Sequence, residues 1–393
     1  VTDLTIDVIS LALLVIQIPA TAVLLSRLVK GPSRLSPIEP QAPTPQIFGA
    51  VSVVVPTLNE AERISPVLAG LSRQSYEVRE IIVVDSHSTD GTPDLVKAAQ
   101  QHDPRFRLFQ DDPLPTGWVG RPWALHNGFL ESAQESEWFL GIDADTEPHP
   151  GLVASLVQVA EAQKYDLVSL SPQFILQYPG ECWLQPALLM TLLYRFDPAG
   201  VNTQQPERVM ANGQCFLCRR SVLANVGGYT SAKGSFCDDV TLARQIAAQG
   251  FKVGFLDGAK VLKVRMYEGA YETWKEWGRS LDLKDASTRS QLWADLWLLF
   301  AVQALPLLVL ISYALSPLPP LTPSPAIFVL GLNAFLFTIR SGMMLAIAPS
   351  YDLSSANGGW LFWLSPLADP IAVLRIFLSA FRTPREWRGR KYN

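Results

Sequence analysis

Charge is scarce in this chain. Lys, Arg, Asp and Glu make up 17% of its 393 residues against 48% apolar residues, and mean hydropathy is +0.17. That balance is greasy for a soluble enzyme and mild for a pure transporter, so a soluble domain joined to membrane segments is expected. A net charge of −4 gives no basis for nucleic-acid binding. Cysteine is scarce too, with only Cys182, Cys215, Cys218 and Cys237. A small stapled secreted domain would be denser in cysteine, so a reducing compartment fits better. Cys215 and Cys218 form a C-x-x-C pair, which could suggest zinc. In CFLCRR, however, the alternation reads as strand, and an offset of three turns the two thiols to opposite faces. Histidine is as rare, four in all. That is fewer metal ligands than a metal phosphohydrolase usually needs.

Long uncharged runs are abundant. Residues 8–26 are 19 residues without a charge, enough to span most of a ~30 Å hydrocarbon core. A cleaved signal peptide would want positive charge before this run, where Asp3 and Asp7 stand instead. Arg27, Lys30 and Arg34 follow it, which predicts an N-terminus outside and the next domain on the cytoplasmic side. Three more apolar runs cover 296–315, 326–348 and 360–381, and their connectors carry no Lys or Arg. The tail carries Arg382, Arg385, Arg388, Arg390 and Lys391. With domain and tail on one side, two of the three runs cross. The third, which holds Pro366, Asp369, Pro370 and Arg375, is expected to be re-entrant or interfacial.

The organisation read from these shifts is an N-terminal transmembrane helix (1–30), a Pro-rich linker (31–48) and a catalytic domain (49–262). An interfacial amphipathic segment (263–290), a C-terminal membrane region (291–381) and a basic tail (382–393) follow. The linker holds Pro32, Pro37, Pro40, Pro43 and Pro45, which favour extended chain. Within 49–262, VSVVV (51–55), EIIVVD (80–85) and WFLGIDAD (138–145) are short strands that each lead into polar turns. A helical stretch over roughly 60–73 separates the first two. Such alternation predicts a largely parallel, wound α/β sheet, with ligands bound at the strands' carboxyl ends.

Acids gather at those ends. Asp143 and Asp145 are two apart, and on a strand both would face one way, about 6.6 Å apart, able to share a hard divalent cation such as Mg²⁺. Pro56 is expected to end the first strand, with Asn59 and Glu60 opening a helix. Asp85 ends the second strand, where it can accept from a base N–H or a ribose hydroxyl, or simply cap the turn. Asp90 reads as an N-cap. In GWVGRPWALHNG (117–128), Gly117 and Gly120 permit a tight loop and Arg121 offers a cation for phosphates. His126 reads as a helix-face or capping histidine. Asp238 and Asp239 open a helix whose stripe is Val240, Ala243, Ile246 and Ala247. Asp238 fits a helix N-terminus, and the acid beside it could be a general base. Trp274, Trp277 and Leu281, with Lys275 and Arg279 beside them, suit a membrane interface or a helix packed on the domain.

VVVPTLNE, VVDSHSTD, the DAD motif, GQCF and the CDD helix start, in this order and spacing, resemble the family 2 glycosyltransferases with a GT-A fold. The resemblance covers about 50–262. The GWVGRPWALHNG loop and WRGRKY (387–392) resemble bacterial membrane enzymes that glycosylate carotenoids or accompany hopanoid synthesis. ETWKEWGRSLDLKDA (272–286) is most similar to the carotenoid 2′-O-glycosyltransferases. The resemblance implies that Pro56, Glu60, Asp85, Arg121, Asp143, Asp238, Trp277 and Arg279 bind the nucleotide-sugar. It also implies that Asp143 and Asp145 hold Mg²⁺ or Mn²⁺ and that Asp239 is the catalytic base. The acceptor it implies is a membrane lipid, a carotenoid or another polyisoprenoid. Hopanoid, diacylglycerol, ceramide-like and polyprenyl-phosphate acceptors stay open, as does an inactive membrane scaffold. Two departures matter. Ser86 stands where a second acid is often found, and Asp238–Asp239 replaces a Glu-Asp pair. The Gln-x-x-Arg-Trp signature of processive synthases is absent, which argues against long polymers.

Overall fold

The computed structural model describes residues 2–277, 281–315, 324–382, 386–387 and 390–391. They form two compact units. The α/β unit comprises Ser33–Ile175 and Pro198–Met266, with residues of the tail. Its main sheet is built from β1 (Val51–Thr57), β2 (Val78–Asp85), β3 (Phe106–Gln110), β4 (Trp138–Ile142), β6 (Leu167–Ser171), β8 (Cys215–Arg219) and β9 (Val253–Asp257). Smaller strands β5 (Thr146–Pro148), β7 (Gln173–Ile175) and β10 (Leu262–Val264) lie side by side in the order β7-β10-β5.

The main sheet runs β3-β2-β1-β4-β8-β6-β9. β1 to β4 are mutually parallel, and β8 is antiparallel to both its neighbours. Alternation along the strands feeds two cores, one on each face. Val53 and Val55 of β1 and Ile81 and Val83 of β2 enter one core, while Val54, Ile82 and Val84 enter the other. Cys215 joins the first core and Cys218 the second, as the strand reading of CFLCRR predicts. All four cysteines are buried and unbonded to one another.

Three local expectations shift. Pro56 does not end β1, which runs on to Thr57 beside Asp85 of β2. β4 pairs β1 only through Val54, so the missing N–H of Pro56 falls beyond that partner's reach. The first helix starts at Ser65, not near 60. Asn59 is left-handed (φ 55°), and a turn closed by Ile64 N–H on the Glu60 carbonyl intervenes. The Pro-rich segment is laid along the α/β unit: Leu35 N–H bonds Gly200 O at 2.9 Å and Ile38 N–H bonds Asp257 O at 2.8 Å. Ile38 and Ile47 are buried there.

The second unit gathers the N-terminal segment through Pro32, Leu176–Asp197 and the chain from Tyr267 to residue 382. Leu176–Asp197, inside the catalytic span by sequence, belongs here by packing. Among the described residues, four helices are long and apolar enough to cross a membrane: Ile6–Ser33, Arg289–Ala314, Pro325–Ser350 and Gly359–Ala380. The last changes from a 3₁₀ to an α-helix at Asp369, near Pro366 and Pro370. Two sets of buried polar groups inside this unit pair across distant helices, as a low-dielectric interior favours. Gln17 and Asn333 exchange amide hydrogen bonds at 2.8 and 3.0 Å. Arg340 grips Asp369 in a fork at 2.7 and 3.0 Å.

The helix Gly269–Glu272 continues as a π-helical turn, Thr273–Trp277. Glu181 accepts from Gly269 N–H, Arg375 donates to the Trp274 carbonyl, and Arg195 donates to the carbonyls of Leu281 and Asp282. Trp277 and Leu281 are buried within the unit. Trp274 on the same segment stays half-buried. Arg279 lies outside the described residues.

Candidate active site

Four parallel strands carry their carboxyl ends to one edge of the sheet, and the polar residues of the α/β unit collect there. Asp85, at the end of β2, is buried and accepts from Ser88 N–H at 3.0 Å and from the Thr57 hydroxyl at 3.3 Å. In this structure it caps its own turn. Asp90 accepts from Thr92 and from Ala61 N–H. Asn59 accepts from Thr89 N–H at 2.9 Å. The turns after β1 and β2 are therefore laced together, and Glu60 is buried between them with its N–H on Thr92 Oγ1. Ser86 bonds Asp111 at 2.7 Å. An acid thus stands beside Ser86 after all, supplied by a residue 25 positions on.

Asp143 and Asp145 do not lie on a strand. β4 ends at Ile142, and Asp143–Asp145 form the turn into β5. The Thr146 hydroxyl and N–H close that turn on the Asp143 carbonyl at 2.7 and 3.3 Å. The strand argument for a shared face therefore lapses, although the two carboxyls remain close enough for Asp143 to act on Asp145 electrostatically.

The positive charge beside Asp143 is Arg121. It sits in the first turn of the helix Gly120–Glu131, which packs so tightly on β1 that a Cβ on Gly128 would meet Val54 at 2.4 Å. The guanidinium donates from Nε to Asp143 at 2.9 Å, from Nη1 to Asp238 and from Nη2 to the Gly213 carbonyl at 2.6 Å. A side chain at position 213 would collide with it, since a Cβ would stand 2.5 Å from Nη2. Asp239 accepts from Gly213 N–H at 2.6 Å. Asp143, from the turn after β4, and Asp238 and Asp239, from a single helix start, thus converge on one arginine and one glycine.

Charge follows from this crowding. Burial alone would lower the Arg121 pKa, but Asp143, Asp238 and Asp239 outweigh it and raise it. Burial raises Asp143 and Asp239, with Arg121 acting against it. Burial, then the charge of Asp143, push Asp145 up to about 7. Asp238 also rises to about 7, through burial first and then Asp239 and Asp143, with Arg121 opposing. Arg121 is the cation close to Asp143, Asp238 and Asp239, whereas Arg63 acts on Asp145 more strongly than Arg121 does. Among the described residues no three His, Cys, Asp or Glu side chains are already arranged around a metal position, although carboxylate oxygens are the donor type that Mg²⁺ and Mn²⁺ take.

His126 is a half-buried helix-face residue. Its ring stacks on Trp118 at 5.1 Å, and its Nδ1 receives Tyr229 N–H at 3.4 Å. Trp277, predicted as a donor contact, is a buried residue of the other unit. Sequence reasoning missed Gly213, Asp111 and Tyr229. Only the GQCF and GGYT contexts hinted that a turn lay near.

Residues 52–227 match the family model described as Glycosyl transferase family 2. A 4,4'-diaponeurosporenoate glycosyltransferase of Staphylococcus haemolyticus is 24% identical over 244 residues, 62% of this chain and 64% of the relative's length. An N-acetylglucosaminyl-diphospho-decaprenol L-rhamnosyltransferase of Mycobacterium tuberculosis is 25% identical over 53% of this chain and 74% of its own. Among solved structures, the mannosyltransferase PcManGT from Pyrobaculum calidifontis, in complex with GDP-Man and Mn²⁺, aligns with a TM-score of 0.51 at 20% identity. That match covers 95% of this chain and 97% of the other, and it shows a shared fold.

Proposed function

From the premise that residues 52–227 are a family 2 glycosyltransferase domain on the GT-A fold, we propose that this protein is an inverting transferase. It passes one sugar from a nucleotide-sugar to a membrane-lipid hydroxyl, that of a carotenoid or another polyisoprenoid. The observation that carries this reading is the convergence of Asp143 and Asp238 on Arg121, with Asp239 beside them on Gly213 N–H, at the carboxyl edge of the sheet. The lipid acceptor is supported by the apolar helices and by the two relatives, one named for a carotenoid acid and one for a decaprenol diphosphate. The absent Gln-x-x-Arg-Trp run supports a single transfer. The catalytic unit faces the cytoplasm in this reading, on the side of Arg27, Lys30 and Arg34.

Asp239 removes the acceptor hydroxyl's proton as that oxygen attacks the anomeric carbon from the face opposite the diphosphate. Burial raises its basicity. A single displacement inverts the centre. Arg121 can turn its N–H groups to the leaving diphosphate, for which a guanidinium fork is well matched. Asp143 and Asp145 would hold Mg²⁺ or Mn²⁺, which when bound neutralises charge developing on the leaving group. Glu60 and Asp85, next to the laced turns, would contact the nucleoside in this reading.

Two results are expected. Without ligand, the carboxyls raised to about 7 favour the protonated folded state. Stability should therefore fall as pH rises from about 4 through 7. Mn²⁺ with nucleoside diphosphate should raise Tm more at pH 8 than at pH 6, because fewer protons must leave. At a hundredfold excess over Kd the gain is about 2.7 kcal/mol. Asp145→Ala should remove that metal-dependent gain, and a full gain in this variant would refute the metal assignment.

The acceptor is tested in the cell. Deleting the gene and profiling lipids and pigments by mass spectrometry should show loss of one glycosylated polyisoprenoid with accumulation of its free alcohol or acid. An unchanged carotenoid profile would reject that acceptor. Purified protein in vesicles should release nucleoside diphosphate only with Mg²⁺ or Mn²⁺ and the accumulated lipid.

A further inference from the structure

One buried hydroxyl beside the acid cluster has nothing to bond. Tyr229 stands in the GGYT turn and is 1% exposed. Its ring is ordinary core, set edge-on to Phe139 at 6.3 Å and tilted against Phe216 at 6.5 Å. Its hydroxyl is not ordinary. It lies 3.4 Å from where a Cβ on Gly141 would stand, two residues before Asp143. Arg121, Asp238, Cys218 and Asp143 set its electrostatic surroundings. Among the described residues no group hydrogen-bonds it. A buried donor without an acceptor carries a desolvation cost that nothing offsets. Phenylalanine would fill the same ring position without that cost.

Asp143 and Asp238 keep their charged donor only while Arg121 stays where it is. Its guanidinium is shared among Asp143, Asp238 and the Gly213 carbonyl. A diphosphate is a stronger attractor for a guanidinium than a backbone carbonyl or a shared carboxylate. When Arg121 turns toward it, the buried Asp238 loses its charged donor, and an uncompensated buried carboxylate is costly. Asp238 is covalently next to Asp239, so its position fixes the first turn of the base's helix. The backbone of Tyr229 is also tied to the Arg121 helix, through its N–H on His126.

We propose that Tyr229 is a positioning residue for transfer: its hydroxyl donates to the Asp238 carboxylate once the donor diphosphate draws Arg121 away. The exchange keeps Asp238 satisfied in both states and holds Asp239 in register with the acceptor. This assignment rests on the transferase reading above.

The test is Tyr229→Phe in the full-length protein in vesicles, with Tm, donor KM and kcat measured together. Expected are a Tm equal to or above wild type, a donor KM within about twofold, and a kcat lower by about ten- to a hundredfold. Unchanged kcat overturns the proposal. So does a kcat loss accompanied by a Tm several degrees lower, which marks a packing role. A second readout needs no turnover. With ¹³Cζ-labelled tyrosine, the resonance missing from Y229F should shift when Mg²⁺ and UDP or GDP are added to wild type. A resonance that stays fixed while Tm rises with the nucleotide overturns the exchange. Inactivity of the wild type with every donor and lipid would instead sink the transferase reading, and the resonance would still decide the role of Tyr229.

Discussion

Asp239→Asn should fold, bind donor with near-normal affinity and lose transfer by about 10²- to 10⁴-fold in kcat, the range general-base removal commonly costs. The variant is chosen because it leaves the local structure intact. Asp239 accepts from Gly213 N–H, and the amide oxygen of asparagine can accept the same bond. What asparagine cannot do is take a proton from an attacking hydroxyl. The effect should therefore fall on kcat while donor affinity stays within a few-fold, which distinguishes a chemical role from a binding one. Steady-state kinetics beside donor titration measures both. Near-wild-type kcat would end the base assignment, and Asp238 would be the next residue to examine.

Arg121→Ala should be the most damaging single change in the site. It removes the cation that three crowded acids share and leaves the Gly213 carbonyl without its side-chain donor. Breaking a buried pair by deleting one partner typically costs about 3–5 kcal/mol, and the Arg121 side chain is only 11% exposed. The loss has a pH signature. Asp238 is already pushed to about 7 with Arg121 present, and without it the carboxyls rise further. At pH 6 they escape by protonating, whereas at pH 8 they must stay charged. Denaturant melts should therefore show a smaller loss at pH 6 than at pH 8. Arg121→Lys should recover little, because one ammonium cannot reach three acceptors in a plane. Equal stability of wild type and Arg121→Ala at pH 8 would mean that the acids are screened by solvent.

Much of the α/β unit is legible in its local pattern. The β-branched runs of β1 and β2 alternate between two cores, and CFLCRR sends its two thiols to opposite faces. Local pattern failed where backbone conformation overrode residue type. The left-handed Asn59 delays a helix, and the turn at Asp143–Asp145 replaces a strand. The prolines of residues 31–48 gave no clue that Ile38 and Ile47 would anchor that segment, or that 3₁₀ turns would form at Gly31–Ser33 and Pro45–Ile47. Trp274, Trp277 and Leu281 were readable as a helical stripe. That Trp277 would be buried was not, because the arginines that tie this segment come from distant helices.

By itself the sequence determined that acids would crowd the ends of parallel strands, and that apolar helices would precede and follow that segment along the chain. Both follow from residue type and spacing along the chain. Only the tertiary structure decided what balances the acids. The first cation beside Asp143 is Arg121, 22 residues before it and 117 before Asp238. Coulomb energy depends on distance in space and on burial. Neither exists for these groups until the sheet brings its strand ends to one edge.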